Sequence, residues 1–538
     1  MTPNQYTPEE PISSIATALA PAALGIVRVS GKGCIELVSK VFSRPKALLE
    51  APGNTLVYGW ILDCPVKPDN DTNGHPDNDN KVSFSDSTAM SSLTEFASQT
   101  SQGLTRGSRI DEVMLAVYRA PKSFTGEDMV EIFCHGGPAV VMAVQNLMLK
   151  SGFRQANRGE YTFRAFINGK TDLTRAEAVK EIIDSHTDVS RSHAAGRLAG
   201  GLFEEIDSIK KLIIDTLAAI EVEIEYPEDE ETIADSFDRS DIELAASRLQ
   251  ALADSWKGEK LYQDGARVVL AGRTNAGKSS LFNAILKEER AIVSDIEGTT
   301  RDWLESWASI NGIPVRLFDT AGLRQTSDVI EAQGVEISRS LVHDADVVLY
   351  LVDGTAGMND EDRSFIENCK EPLIVVYTKS DKGGGVTGAE PPLEGVAEDA
   401  AETVVEPVET TVSAVAGARG RLPPPACKIS SKTGAGLSEL FAQIYGLLTA
   451  DLGGTGTRGA GSTTERAQAG LGSARQKEAV SEALECVRHA LVSADDNYSL
   501  DAVVQDLEDA LDSLGEVTGD VTPDDVLGSI FANFCVGK

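Results

Sequence analysis

The chain has 538 residues, with 49 Lys and Arg against 83 Asp and Glu, giving a formal net charge of −34. That length predicts about three domains of roughly 100 to 200 residues each, and the charge excludes nonspecific nucleic-acid binding over the whole surface, because phosphate is repelled at long range; any RNA contact must be local. No apolar run approaches the roughly 20 residues of a membrane span, the opening MTPNQYTPEE has no basic, apolar signal pattern, and the seven cysteines form no C-x-x-C pairs, which argues against a disulfide framework or zinc site; a cytoplasmic protein with no membrane partner is expected.

In chain order, the first ordered piece is expected from about Ile15. GIVRVSG (residues 25–31) alternates apolar positions around Arg28 and reads as a strand, and VYGWIL (57–62) as another. Residues 65–108 are dense in Asp, Asn, Ser, Thr and Gly and cannot bury enough apolar surface to offset their ordering entropy, so they read as a disordered insertion without a catalytic role. The strand signal resumes at EVMLAVYRAP. FTGEDMVEIFCHGGPAVVMAVQNLMLKSGF then predicts a strand, the turn His135-Gly136-Gly137 and a helix of period near 3.6.

From residue 150 to 175, six basic residues (Lys150, Arg154, Arg158, Arg164, Lys170, Arg175) face two acidic ones (Glu160, Asp172), a net of +4 inside a chain of −34. Such an island fits either an anionic ligand or a solvated surface that happens to be basic. Residues 173–226 are helical in pattern. Residues 221–241 then carry ten acidic residues against one basic, Arg239, and read as an exposed connection between helices.

The most informative stretch is RVVLAGRTNAGKSSLFNAIL (267–286), an apolar strand followed by a loop and an amphipathic helix. Gly272, Gly277, Lys278 and Ser279 fit G-x-x-x-x-G-K-S. Backbone N–H groups of such a loop cradle phosphate oxygens, Lys278 reaches the β and γ phosphates, and Ser279 ligates Mg²⁺. Asp319-Thr320-Ala321-Gly322 follows a second apolar strand, where the carboxylate can hold the Mg²⁺ shell and Gly322 faces the γ-phosphate. Thr378-Lys379-Ser380-Asp381 ends a third strand; Asp381 can accept hydrogen bonds from guanine N1 and the 2-amino group, which adenine cannot supply. Thr378 stands where Asn is usual. Ser430-Ser431-Lys432 follows a fourth short strand and suits a loop that backs the base. Each signal is weak alone, but their order is specific to a guanine-nucleotide site. Between them, residues 382–425 are rich in Gly, Ala, Pro and Glu and read as a flexible insertion. Helices resume from about Arg466 with apolar positions three and four apart.

GIVRVSG, SFTGEDMVEIFCHGG, RGEYTFRAFINGKTDLTRAEAV, GRTNAGKSSLFNAIL, EGTTRD, DTAGLR and a terminal FCVGK, in that order, resemble the tRNA-modification GTPases of the MnmE (TrmE) family. The resemblance implies an α+β N-terminal dimerisation and folate-binding domain (1–172) and a helical domain (173–264 and 451–538) interrupted by an inserted α/β P-loop GTPase domain (265–450). Its nucleotide set here is Asn275, Ala276, Gly277, Lys278, Ser279, Ser280, then Ser294, Asp295, Ile296, Glu297, Gly298, Thr299, Thr300, then Asp319 to Gly322, Thr378 to Asp381 and Ser430 to Lys432.

The resemblance further implies that K⁺ replaces an arginine finger, held by Asn275, Ser294, Ile296 and Thr299, and that Thr300 joins Ser279 at Mg²⁺. Leu323 occupies the position where many small GTPases carry a water-orienting Gln, and the resemblance gives that task to Glu331, with Arg301 and Asp302 reaching the opposing subunit. Cys535 becomes a poised thiol delivered to an N-terminal pocket, in which Arg28, Glu131, Lys170 and Lys538 surround a reduced folate. The sequence departs from relatives at ALAPAA (18–23), where a Gly-rich turn is common. A homodimer, an FAD-containing partner (MnmG, also GidA) and tRNA complete the implied assembly. The rival reading is a GTP-dependent switch that binds RNA or assembling ribosomes without modifying them; the FCVGK and FINGK motifs favour the modification enzyme, since a pure switch has no evident use for a folate pocket or terminal thiol.

Overall fold

Apolar side chains alternate along residues 24–30 and 129–135, and in the computed structural model both segments are inner strands of one sheet. The structure describes residues 10–63, 109–225, 239–288, 304–319, 341–382, 424–450, 470–495, 500–522, 524–534 and 537. Both expected insertions lie almost wholly outside these residues, as does most of the acidic connection. The chain divides into two compact units: Met1–Lys180, Leu198–Leu249 and Glu478–Lys538 form the first, and Glu181–Arg197 with Gln250–Lys477 the second.

In the first unit, β1 (Ile12–Ile15), β2 (Leu24–Ser30), β3 (Thr55–Leu62), β4 (Arg109–Tyr118), β5 (Met129–His135) and β6 (Arg154–Gln155) form a sheet in the order β3-β4-β5-β2-β1-β6. One face packs on the helix Pro138–Lys150 and on a short helix at Cys34–Ser39, through Val27, Val29, Leu115, Ile132, Val144 and Met148. Order begins earlier than Ile15. The segment Ile12–Ile15 reads ISSI and hides its strand character because Ser13 and Ser14 are fully buried, satisfied by hydrogen bonds to Gln145 Oε1 (2.8 Å) and the Tyr161 hydroxyl.

Half of the basic island is paired inside the protein, while Lys150, Arg158 and Lys170 are exposed. Arg164 has no exposed side chain and pairs with Glu127 and Glu160, Arg154 pairs with Glu160 and Glu10, and Arg175 with Asp172. A charge count along the sequence could not see Glu10 and Glu127, which arrive from elsewhere in the chain. The helix Glu160–Ile167 carries this network on one side. On the other, Phe163 and Phe166 receive Phe531 from the helix Asp524–Ala532, with the Phe163 and Phe531 ring centroids 5.3 Å apart and edge-to-face.

In the second unit, β7 (Ala266–Gly272), β8 (Leu304–Ile310), β9 (Ile313–Asp319), β10 (Val347–Asp353), β11 (Leu373–Thr378) and β12 (Ala426–Lys428) lie in the order β12-β11-β10-β7-β9-β8, parallel except for β8. β10 reads VVLYLVD and is buried on both faces, as a central parallel strand must be. Helices Lys278–Glu288 and Leu437–Thr449 cover one face and the helix Asp360–Asn368 the other. Because β7 has β9 on one side and β10 on the other, the strand order reverses at its carboxyl end, where open α/β sheets form ligand crevices. Among the described residues, no helix is long and apolar enough to cross a membrane.

Candidate nucleotide site and N-terminal polar cluster

At the end of β7 the chain must leave a buried strand, turn tightly and enter a helix, and its residues suit each demand. Gly272 has φ 131°, and a Cβ there would sit 2.4 Å from the Leu351 carbonyl of β10, so no other residue fits. Asn275 is left-handed at φ 64°, a conformation Asn tolerates better than most residues. Lys278 folds back over the loop and donates to the carbonyls of Gly272 (2.7 Å) and Arg273 (2.8 Å). Ser279 Oγ donates to Asp319 Oδ2 at 2.7 Å. A hydroxyl and a carboxylate brought together from a loop and a neighbouring strand end are hard oxygen donors of the kind Mg²⁺ takes alongside phosphate. Of the residues expected around Mg²⁺, Ser279 and Asp319 are in contact, and Thr300 lies outside the described residues.

The strand ends beside this loop complete the crevice. Thr378 Oγ1 donates to the Ala276 carbonyl (2.7 Å), and Lys379 Nζ reaches both Asp353 Oδ2 (2.5 Å) and the Asn275 carbonyl (3.0 Å). The Lys379 hydrogen bond, with those from Thr355, holds the Asp353 carboxyl well below the usual carboxylate range. Ser430 Oγ donates to Asp381 Oδ1 at 2.9 Å, and that bond lowers the Asp381 carboxyl. Asp381 is thus kept ionised and an acceptor, as recognition of a guanine N1–H and amino group requires. Asp353 and the pair Arg273–Asp362 (3.0 Å) are the contributions that sequence reading missed. Asp362 is fully buried, accepts from Tyr350 and closes a capping box with Asn359, so it fixes the second residue of the phosphate loop to the helix behind it. The only hint in the sequence was NDED before a helical pattern.

In the first unit, Arg28 and Glu131 face each other across paired strands. The Arg28 guanidinium meets Glu131 Oε1 at 2.9 Å through Nε and 2.7 Å through Nη2, while Nη1 donates to the Gly537 carbonyl at 2.7 Å. Tyr118 adds its hydroxyl to Glu131 Oε2 at 3.3 Å; burial, then the nearby carboxylate, raise the Tyr118 phenol. Arg28, Glu131 and Gly537 therefore converge. Lys170 is exposed, and its Nζ donates to the Pro121 carbonyl at 3.1 Å. An arginine and a carboxylate with a phenol alongside are groups that could meet the carboxylates and the amino-pyrimidinone edge of a reduced folate.

The family description "GTP-binding protein TrmE N-terminus" matches residues 11–170, and "MnmE helical domain" matches residues 173–535. A tRNA modification GTPase MnmE of Treponema denticola is 46% identical over 99% of this chain and 99% of its own length. The chain belongs to the MnmE (TrmE) family of tRNA modification GTPases. Other MnmE proteins are similar over comparable spans: that of Treponema pallidum (strain Nichols) is 40% identical over 100% of both chains, and that of Borrelia turicatae 35% identical over 99% of this chain and 100% of its own. Within this chain, Ser294 to Arg301, Thr320 to Gly322, Glu331, Cys535 and Lys538 lie outside the described residues. The phosphate loop, Asp319, the base-facing segment 378–381 and the loop 430–432 lie inside them and belong to one compact unit.

Proposed function

We propose that this chain is a K⁺-dependent GTP hydrolase that, with an FAD-containing partner of the MnmG type, installs an aminomethyl or carboxymethylaminomethyl group at C5 of wobble uridine 34 in certain tRNAs. The observation that carries the GTPase half is the Ser279–Asp319 contact at the mouth of a loop whose neighbouring strand ends hold Asp381 as an ionised acceptor. Asn275 would give K⁺ its amide oxygen from inside the loop, with Ser294, Ile296 and Thr299 as the further oxygen donors. Glu331 would orient the attacking water in a reaction that relies on positioning and charge neutralisation.

The modification half rests on family membership over essentially the whole chain and on the Arg28–Glu131–Gly537 convergence. A methylene-tetrahydrofolate would supply the carbon. Arg28 and Glu131 would orient it, and Cys535 and Lys538 would complete the pocket from the C-terminal segment. The N-terminal domains would form the constant homodimer contact, and the GTPase domain, inserted in the helical domain, would drive its open and closed states.

The test is reconstitution with the flavin partner, a tetrahydrofolate carbon donor, GTP and an undermodified tRNA, followed by nucleoside analysis. A C5-modified uridine that requires both GTP and folate supports the proposal. Hydrolysis of GTP with no nucleoside product would favour the binding-switch reading.

A further inference from the structure

Both leading residues of the segment 378–381 commit their side chains to protein partners. Thr378 is 2% exposed, its Oγ1 donates to the Ala276 carbonyl at 2.7 Å, and the same oxygen lies 3.3 Å from the Val352 carbonyl. Its backbone is pinned as well: the carbonyl accepts from the Gly354 N–H at 3.0 Å, and a Cβ on Gly354 would come within 2.6 Å of it. Lys379 spends its ammonium on Asp353 and the Asn275 carbonyl. A hydroxyl has one proton, and here a loop carbonyl takes it. The N7 and O6 edge of guanine presents acceptors only, so it needs donors. Thr378 has none to offer.

We propose that Thr378 is a positioning residue that braces the phosphate loop at Ala276 and makes no hydrogen bond to the acceptor edge of guanine, leaving selection of the base to Asp381. The proposal rests on the guanine-nucleotide reading of the site. It makes this chain tolerant of changes at N7 and intolerant of changes at N1 and the 2-amino group. Thr378 and Asp381 then divide the work: one sets how well any purine nucleotide binds, the other sets which.

The test is equilibrium binding to the full-length chain, in Mg²⁺, of GDP, 7-deaza-GDP and xanthosine diphosphate, followed by the same titrations with Thr378→Val, Thr378→Ser and Asp381→Asn. The unaltered chain is expected to bind GDP and 7-deaza-GDP within about twofold of each other. Thr378→Val strands the Ala276 carbonyl and should weaken both by the same factor, on the order of tenfold, with Thr378→Ser restoring them. Asp381→Asn should shift preference from GDP to xanthosine diphosphate. A preference of about tenfold or more for GDP over 7-deaza-GDP, abolished by Thr378→Val, would overturn the proposal. Binding of neither GDP nor 7-deaza-GDP, with ADP bound instead, would overturn the guanine-nucleotide reading itself.

Discussion

Arg28 donates through Nη1 to the carbonyl of Gly537 at 2.7 Å, joining the second strand to a residue 509 positions later. The contact is built from both sides. Arg28 is held by Glu131 and lies 5.6 Å from the centre of the Tyr161 ring, while Gly537 adopts φ 98°, with the Ile15 carbonyl 2.5 Å from where its Cβ would be. Upstream, Phe531 and Phe534 lie against the backbone of Gly159, where a Cβ would meet the Phe531 carbonyl at 2.6 Å. A left-handed glycine under a strand carbonyl is a seat that admits no other residue.

Gly537→Ala is therefore expected to unseat the segment without unfolding the unit. Carboxypeptidase should release C-terminal residues about tenfold faster, a change of roughly 1.4 kcal/mol in the seated state, while far-UV circular dichroism stays the same. Arg28→Gln should act in the same direction. Unchanged release from both variants would mean that the contact does not hold the segment.

Lys278 donates to the loop carbonyls of Gly272 and Arg273, and Ser279 donates to Asp319, so the loop's own contacts position both side chains at its mouth. Lys278→Ala should lower GTP hydrolysis by about a hundredfold or more, the scale of removing a preorganised charge stabiliser. Ser279→Ala should raise the Mg²⁺ concentration needed for half-maximal turnover. Both are checked by phosphate release across a Mg²⁺ titration, with circular dichroism as the control for folding.

Arg273→Ala removes the partner of a carboxylate that has no exposure. The Asp362 carboxylate keeps its bonds from the Tyr350 hydroxyl and the Asn359 N–H, so the loss is partial, about 2 kcal/mol of stability rather than the full penalty of an isolated buried charge. Urea denaturation of the variant measures it. The same variant should weaken nucleotide binding, because the loop loses its tie to the helix Asp360–Asn368.

The Glu160 carboxyl sits among Arg154, Arg164 and the Asn157 N–H. Burial alone would raise it, but the hydrogen bonds from Arg154 and Asn157 and the Arg164 charge outweigh burial and lower it from the ordinary 4.5. A group with a lower pKa folded than unfolded contributes stability fully present above the unfolded value and lost as pH falls through the folded one. Glu160→Gln should therefore cost most above about pH 4.5, with the gap to the parent chain closing as acid is added. Chemical denaturation at several pH values between 3 and 7, as approximate limits, checks this; a gap that widens in acid would contradict it.

Much of this arrangement was legible in the residues. The glycine-rich loop, Asp319 and Asp381 mark their places because each motif is contiguous and sits at the end of an apolar run, and GIVRVSG and MVEIFCH alternate clearly enough to be strands. What sequence could not show was pairing at a distance. The pairing of Arg154 with Glu10 and of Arg164 with Glu127 was hidden because these partners are distant in the chain, and ISSI did not look like a strand because its serines are satisfied by Gln145 and Tyr161. Thr378 showed in the sequence only as a departure from Asn; the bond from its hydroxyl to the Ala276 carbonyl needed the structure.

The measurement that bears most directly on the account is steady-state GTP hydrolysis by the full-length chain in KCl against NaCl at matched ionic strength, with Lys278→Ala and Glu331→Ala alongside. The account predicts turnover that depends on K⁺, is absent with ATP and collapses in both variants. Equal rates in the two salts with Glu331→Ala unaffected, or no turnover of GTP at all, would contradict it.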